Sequence, residues 1–164
     1  GHPWPPTFSG AQPHEPGEIP DLQTLHQLPK IRYDGKYFEW QGLNISLVKT
    51  VSINTNYSVM PSYGLFFDVQ RTKVLLTLDS LDLENLIPAY NQADIIFQDC
   101  ETAARKSGIH AHYDDLLNLP DNIRHKMWLY NYDYGYLPDA VKDGFRGWVK
   151  RKQEFDFSLM AVNL

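Results

Sequence analysis

Six positions carry the chemistry that this sequence offers: Asp79, Asp99, Cys100, Glu101, His110 and His112. Asp79 and Asp99 each follow a short apolar run, Val74-Leu75-Leu76 and Ile95-Ile96-Phe97, and His110-Ala111-His112 lies just beyond the second. Carboxylates and imidazoles are ligands for zinc or manganese, and they carry protons in hydrolysis. A His-x-His pair can put both imidazoles on one side of an extended segment. With Asp99 or Glu101 added, three ligands exist on paper, so the metal-ligand candidates are Asp79, Asp99, His110 and His112. The simpler expectation is structural. Asp99, His110 and His112 form a structural polar cluster, with an imidazole hydrogen-bonded to Asp99 holding a loop over the strand ends. Asp79 and Ser80 then cap the helix that follows them. Cys100 lacks a neighbouring Cys, and only His110 approaches it as a base, so it reads as a buried, inert thiol. Lys106-Ser107-Gly108 lacks the glycine spacing of a phosphate loop. No residue is assigned a catalytic role.

The elements that position these groups follow from hydrophobic pattern. Continuous apolar runs at 74–76 and 95–97 suit strands buried on both faces. Between them Leu83, Leu86, Ile87 and Tyr90 recur at helical spacing, with Asp82 and Glu84 in the first turn, where the helix dipole favours acid. Strand, helix and strand within roughly 30 residues is a βαβ crossover. Met127-Trp128-Leu129-Tyr130 reads as a third strand after a turn at Pro120. Each strand ends in a small polar or acidic residue, so one rim of the sheet gathers the chemistry. Tyr37–Trp40 with Leu43–Ile53, and Tyr63–Val69 with Lys73–Leu78, read as hairpins. Asn54–Met60 reads as a polar loop. Asp139–Phe145 reads as a helix or turn. Gln153–Phe157 alternates as a closing edge strand beside the basic Lys150-Arg151-Lys152, which fits protection of an edge better than phosphate binding. The expected class is α/β: a mixed β-sheet with hairpins and a βαβ unit, helices on one side.

At 164 residues, 43% of them hydrophobic, with four Trp, the chain builds a real core. Six of its 11 prolines fall within the first 20 residues. Residues 1–30 therefore read as a Pro-rich arm or linker, apart from a short helix over 21–28, and 31–164 as the domain. The arm offers Trp4, Phe8 and Leu22 for docking on a neighbouring surface. A net charge of −5 argues against a general nucleic-acid coat. One cysteine excludes an intrachain disulfide and makes reduced cytoplasm the default location. No apolar run approaches the roughly 18 residues of a membrane span.

Several blocks together resemble a known family. Phe97-Gln98-Asp99-Cys100-Glu101-Thr102, Ser107-Gly108-Ile109-His110-Ala111-His112-Tyr113 and Lys126-Met127-Trp128-Leu129-Tyr130 are similar to the C-terminal half of metallo-β-lactamase-fold hydrolases, in the ribonuclease Z-like branch. Pro61-Ser62-Tyr63-Gly64, Thr77-Leu78-Asp79 and Phe38-Glu39-Trp40-Gln41-Gly42 extend the match over about Tyr33 to Phe157. Family members bind two metals, usually zinc. The resemblance places a His, a bridging Asp and a final His at Ser52, Asp79 and Asn131, and of these only the Asp is present. The His-x-His-x-Asp-His motif of the family's first half has no counterpart in this sequence. A hydroxyl or a neutral amide is a poor zinc ligand.

What the resemblance implies is a degenerate metal site with no cofactor. The domain is then a pseudoenzyme-like, non-catalytic one that acts in protein binding or assembly. The alternative is a metal-dependent phosphodiesterase or nuclease completed by a second chain, using zinc or manganese; a third reading is a nucleotide or nucleic-acid binding module. A lone half of a two-sheet sandwich would leave one sheet face uncovered. A homo-oligomer or a protein partner is therefore expected, and no membrane.

Overall fold

A computed structural model describes residues 37–54 and 59–160. Trp4, Phe8, Leu22, the Pro-rich arm and the helix expected over 21–28 lie outside the described residues. The described strands form a seven-stranded sheet whose spatial order follows the chain. β1 (Tyr37–Trp40), β2 (Leu43–Asn54), β3 (Val59–Val69) and β4 (Thr72–Leu76) pair antiparallel. β5 (Ile95–Asp99), β6 (Met127–Tyr130) and β7 (Gly147–Trp148) continue in parallel.

The β1–β2 and β3–β4 hairpins turn on residues with positive φ: Gln41 and Gly42, then Gln70 and Arg71. Two such residues in a row match the twist of paired strands. The β4–β5 and β5–β6 parallel connections instead cross over through helix, while β6 reaches β7 through turns and coil. α1 (Leu83–Gln92) links β4 to β5, and α2 (Tyr113–Leu116) and α3 (Asp121–Arg124) link β5 to β6. The apolar stripe of α1 buries Leu86 and Tyr90 against Leu75, Ile96, Met127 and Leu129, joined by Leu116 of α2 and Ile123 of α3. These residues make one core on one face of the sheet.

Four expectations need correction. Ser80 does not cap α1; Asp82 does, its carboxylate accepting from Asn85 N at 3.3 Å. Ser80 is fully buried and accepts from Gln98 Nε2 at 2.7 Å. The segment expected as a loop over 54–60 has Asn54 in β2 and Val59 and Met60 in β3, because the long hairpin runs on past its apolar centre. Gln153–Phe157 is no strand, and β7 ends the sheet instead. Its alternation serves to lay two rings on the sheet: Phe155 meets Phe97 at 4.8 Å and Trp128 at 5.2 Å, and Phe157 meets Phe97 at 6.4 Å. Since Phe97 points opposite to Ile96, these rings and the short α4 (Phe157–Met160) sit on the face away from α1–α3. The helices on one side are thus α1–α3, with α4 the exception.

Candidate functional site

The rim formed by the carboxyl ends of β4, β5 and β6 gathers the polar residues. Asp79 lies three residues beyond β4, Asp99 ends β5, and Asn131 follows β6 with φ of 65°. The strand ends are tied together. Asp99 N donates to Thr77 Oγ1 at 2.9 Å, Cys100 N donates to Tyr130 O at 2.9 Å, and Tyr130 Oη donates to Thr77 O. From the β2 bulge, Thr50 Oγ1 donates to Asp79 O at 2.6 Å. A buried chain supports the rim from below: Tyr90 Oη donates to Gln98 Oε1 at 2.7 Å, and Gln98 Nε2 donates to Ser80 Oγ. Each partner spares another buried group from going unpaired.

Asp99 is the centre. Its side chain is 2% exposed. Oδ2 lies 2.8 Å from His110 Nδ1, and Oδ1 accepts from Asn131 Nδ2 at 2.9 Å. Burial raises the Asp99 pKa, opposed by the hydrogen bonds from Asn131 and His110, the His110 charge and the Ser80 backbone. Burial works against the His110 imidazolium. The hydrogen bond to Asp99 and the carboxylates of Asp99, Asp79 and Glu101 outweigh it, and the net shift is upward. Asp79, 46% exposed, places Oδ1 3.6 Å from His110 Nδ1.

His112 does not join this cluster. Its Nδ1 caps α2 by accepting from Asp114 N at 3.2 Å, and Nε2 faces Ala103 O at 3.0 Å. Spacing of two puts residues on one side only in extended chain, and here the second histidine begins a helix. Glu101, 5% exposed, is a residue that spacing alone undervalues. Both its carboxylate oxygens accept from Ser107 N, and its backbone pairs with Ala111 and Tyr113, closing the 101–112 loop that carries His110. Cys100 is fully buried and burial pushes its thiol up, with Asp99, Glu101 and Asp133 adding to the shift, which suits an inert residue. Ser52 is placed by its backbone opposite Pro61.

Asp79, Asp99 and His110 each offer one ligand atom, all within 4.8 Å of one another. That number matches the three protein ligands of a catalytic zinc. The donors fit a metal poorly, since hydrogen bonds already engage two of the three residues, although an imidazole bonded to a carboxylate through Nδ1 still has Nε2 for a metal. Asp99 has an N–H donor on each oxygen, and His110 Nδ1 is committed to one of them. The Asn131 amide that bonds Asp99 also lies 3.5 Å from His110 Nδ1, so it crowds the same group. Of the two carboxylates, Asp79 is the one that no side-chain hydrogen bond closes off among the described residues, its nearest charged neighbour being His110 Nδ1 at 3.6 Å. A lone carboxylate is a weak hold on zinc or manganese.

Fold and rim together define a protein of metallo-β-lactamase fold. The crystal structure of the metallo-β-lactamase-fold protein YhfI from Bacillus subtilis superposes with a TM-score of 0.51 at 18% identity, over 68% of this chain. The chain spans 48% of that protein's length. More closely, the chain belongs to the anti-Pycsar protein Apyc1 family, whose model matches residues 3–155. No curated protein matches the sequence. Among the described residues no helix is long and apolar enough to cross a membrane.

Proposed function

We propose that the chain is a non-catalytic metallo-β-lactamase-type domain of the ribonuclease Z-like branch, working by protein binding and assembly in the cytoplasm. The observation that carries this reading is the closed pairing of Asp99, with His110 on one oxygen and Asn131 on the other. Asn131 stands where the family resemblance calls for an imidazole ligand, and it is spent on holding Asp99. Ser52, at the other such position, offers a hydroxyl. The family's description as anti-Pycsar protein names the setting in which partners are to be sought.

A second reading has one observation in its favour. Asp79 is half exposed beside His110, so it remains open to a metal whose other ligands come from another chain. That would make this domain one wall of a phosphodiester hydrolase. Elemental analysis and turnover of bis(p-nitrophenyl) phosphate with added zinc or manganese separate the two. The expected result is well under one metal per chain and no turnover by the purified protein. About one metal per chain, lost in Asp79→Ala, defeats the non-catalytic reading.

A further inference from the structure

The sheet ends at β7, and the surface there differs in charge from the rest of the molecule. Residues 138–152 carry five Lys and Arg against two Asp, in a chain whose net charge is −5. Both acids are already engaged. Asp139 Oδ1 accepts from Lys142 N at 3.2 Å, and Asp143 Oδ2 accepts from Tyr113 Oη at 2.8 Å. The cations find no such partner. Arg146 donates through Nε to His125 O at 3.1 Å, which leaves its two terminal nitrogens. Among the described residues no carboxylate pairs with Arg146 or with Lys150, and both side chains are exposed.

Arg146 and Lys150 line one groove of about 340 Å³ together with Trp128, Val141 and Trp148. Gly147, at φ 136°, keeps its floor open. A Cβ there would lie 3.3 Å from Trp128 Cζ3 and 3.7 Å from Val141 Cγ2, so any side chain at 147 would fill the gap. Its absence lets a partner approach the backbone. The Trp148 wall is fixed: Nε1 donates to Pro138 O at 2.9 Å, and the ring stacks on Tyr113 at 5.5 Å and meets Tyr132 edge-on at 5.1 Å. Val141 opposite is 66% exposed, an aliphatic side chain standing in water. A groove with a fixed wall has little conformational freedom left to lose on docking.

We propose that this surface docks an extended acidic segment of a partner protein, with an apolar side chain in the groove and carboxylates on Arg146 and Lys150. It rests on the reading of the domain as one that works by protein binding, and it names the partner's chemistry. β7 is the last strand of the sheet among the described residues, and a sheet edge accepts extended chain. Arg146 and Lys150 flank it four positions apart, roughly 13 Å in extended chain. Two acids four positions apart, with an apolar residue midway, therefore meet both cations and the groove at once. Charge-assisted hydrogen bonds from Arg and Lys to carboxylate fix the register. Two copies of this surface would set the same cations against each other, so it is not built for itself. Single-stranded nucleic acid stacks its bases on open rings. Here Trp128 already meets Phe155 and Trp148 already meets Tyr113 and Tyr132, which favours an aliphatic anchor over a base.

The test uses the full chain and a fluorescein-labelled peptide, Gly-Glu-Ser-Leu-Ser-Glu-Gly, read by fluorescence polarisation. The Kd should be on the order of 10–100 μM at low salt, as suits a small contact, and should weaken about tenfold as ionic strength rises from ~0.05 to ~0.5 M. Peptides with Lys in place of both Glu, or Ser in place of Leu, should bind about tenfold more weakly or not at all. Lys150→Glu and Val141→Glu should each weaken binding about tenfold without moving the thermal midpoint, since both side chains stand in water. Lys49→Glu, on β2 toward the other end of the sheet, should change nothing. No binding of the peptide, equal binding of its Lys counterpart, or binding indifferent to Lys150→Glu and Val141→Glu each overturns the proposal. Tighter binding of oligothymidylate, lost in the same two variants, overturns it in favour of nucleic acid. Metal uptake or phosphodiester turnover by the purified chain would instead defeat the non-catalytic reading, whatever the peptide does, so the two failures are distinct.

Discussion

Asp99 is an acid held at 2% exposure by two side-chain donors, and removing either exposes the cost of burying it. Asp99→Ala and His110→Ala should each destabilise the fold by about 1–3 kcal/mol. The double variant should cost much less than their sum, since one network is lost once. Unchanged thermal midpoints in both single variants would refute this. The pair also sets a pH dependence. The His110 pKa lies above its ordinary 6.5, so its contribution is fully present below about that pH and is lost as pH rises through the raised value. Asp99 is raised too, so its contribution has the same sign, fading as pH climbs from 3.8 through its folded value. Thermal midpoints should therefore fall from about pH 6 to pH 9, and His110→Gln should flatten the fall. A midpoint that rises over that range contradicts the assignment. The proximity of His110 to Asp99 was readable from a His just beyond an acid-ended strand. The part played by Asn131 was not, because nothing local marks an amide as a partner for an acid 32 positions away.

Element by element, the βαβ unit was legible because apolar runs and a helical stripe are local patterns. Competition between equally suited neighbours was not. Ser80 and Asp82 both make good caps, and the choice fell to Asp82 because Ser80 is drawn into the buried chain with Gln98. Alternation at 153–157 failed for a similar reason: two aromatic rings laid on a sheet leave the same pattern as an edge strand. The Pro61–Gly64 block has a steric cause. A Cβ on Gly64 would lie 2.7 Å from Leu76 O, 3.2 Å from Thr50 Cγ2 and 3.3 Å from Thr77 Cα. The backbone of β3 thus closes directly on the strand end that carries Asp79. Gly64→Ala should cost about 1–3 kcal/mol through overpacking. Gly42→Ala, strained by a φ of 80° but with open space around the Cβ, should cost about 1 kcal/mol. Chemical denaturation of the two variants checks the order, and equal costs would show that the close approach at Gly64 is unimportant.

At the scale of the whole molecule, the sheet is covered unevenly. α1–α3 bury one face; on the other Ile45, Val74 and Ile95 are buried, while Leu65, Phe67, Leu76, Phe97 and Trp128 are partly buried, with Phe155 and Phe157 lying over the β5–β6 end. The partly buried residues are where a further covering element is expected. The expected covering element is a second copy of the sheet, with residues 1–30 and their Trp4, Phe8 and Leu22 as the alternative to be tested. A second copy would rebuild a two-sheet core by two-fold symmetry, with more than roughly 2,000 Å² buried in total. An interface of that size and apolar character should persist at nanomolar concentration. Light scattering of the full chain and of a 31–164 chain decides between the two coverings. The expected outcome is a dimer in both at low concentration. A full-length monomer that becomes an aggregating or unfolded species on removal of residues 1–30 would assign the face to the arm. A monomer that stays folded and monomeric after the deletion would show that the face needs no cover at all.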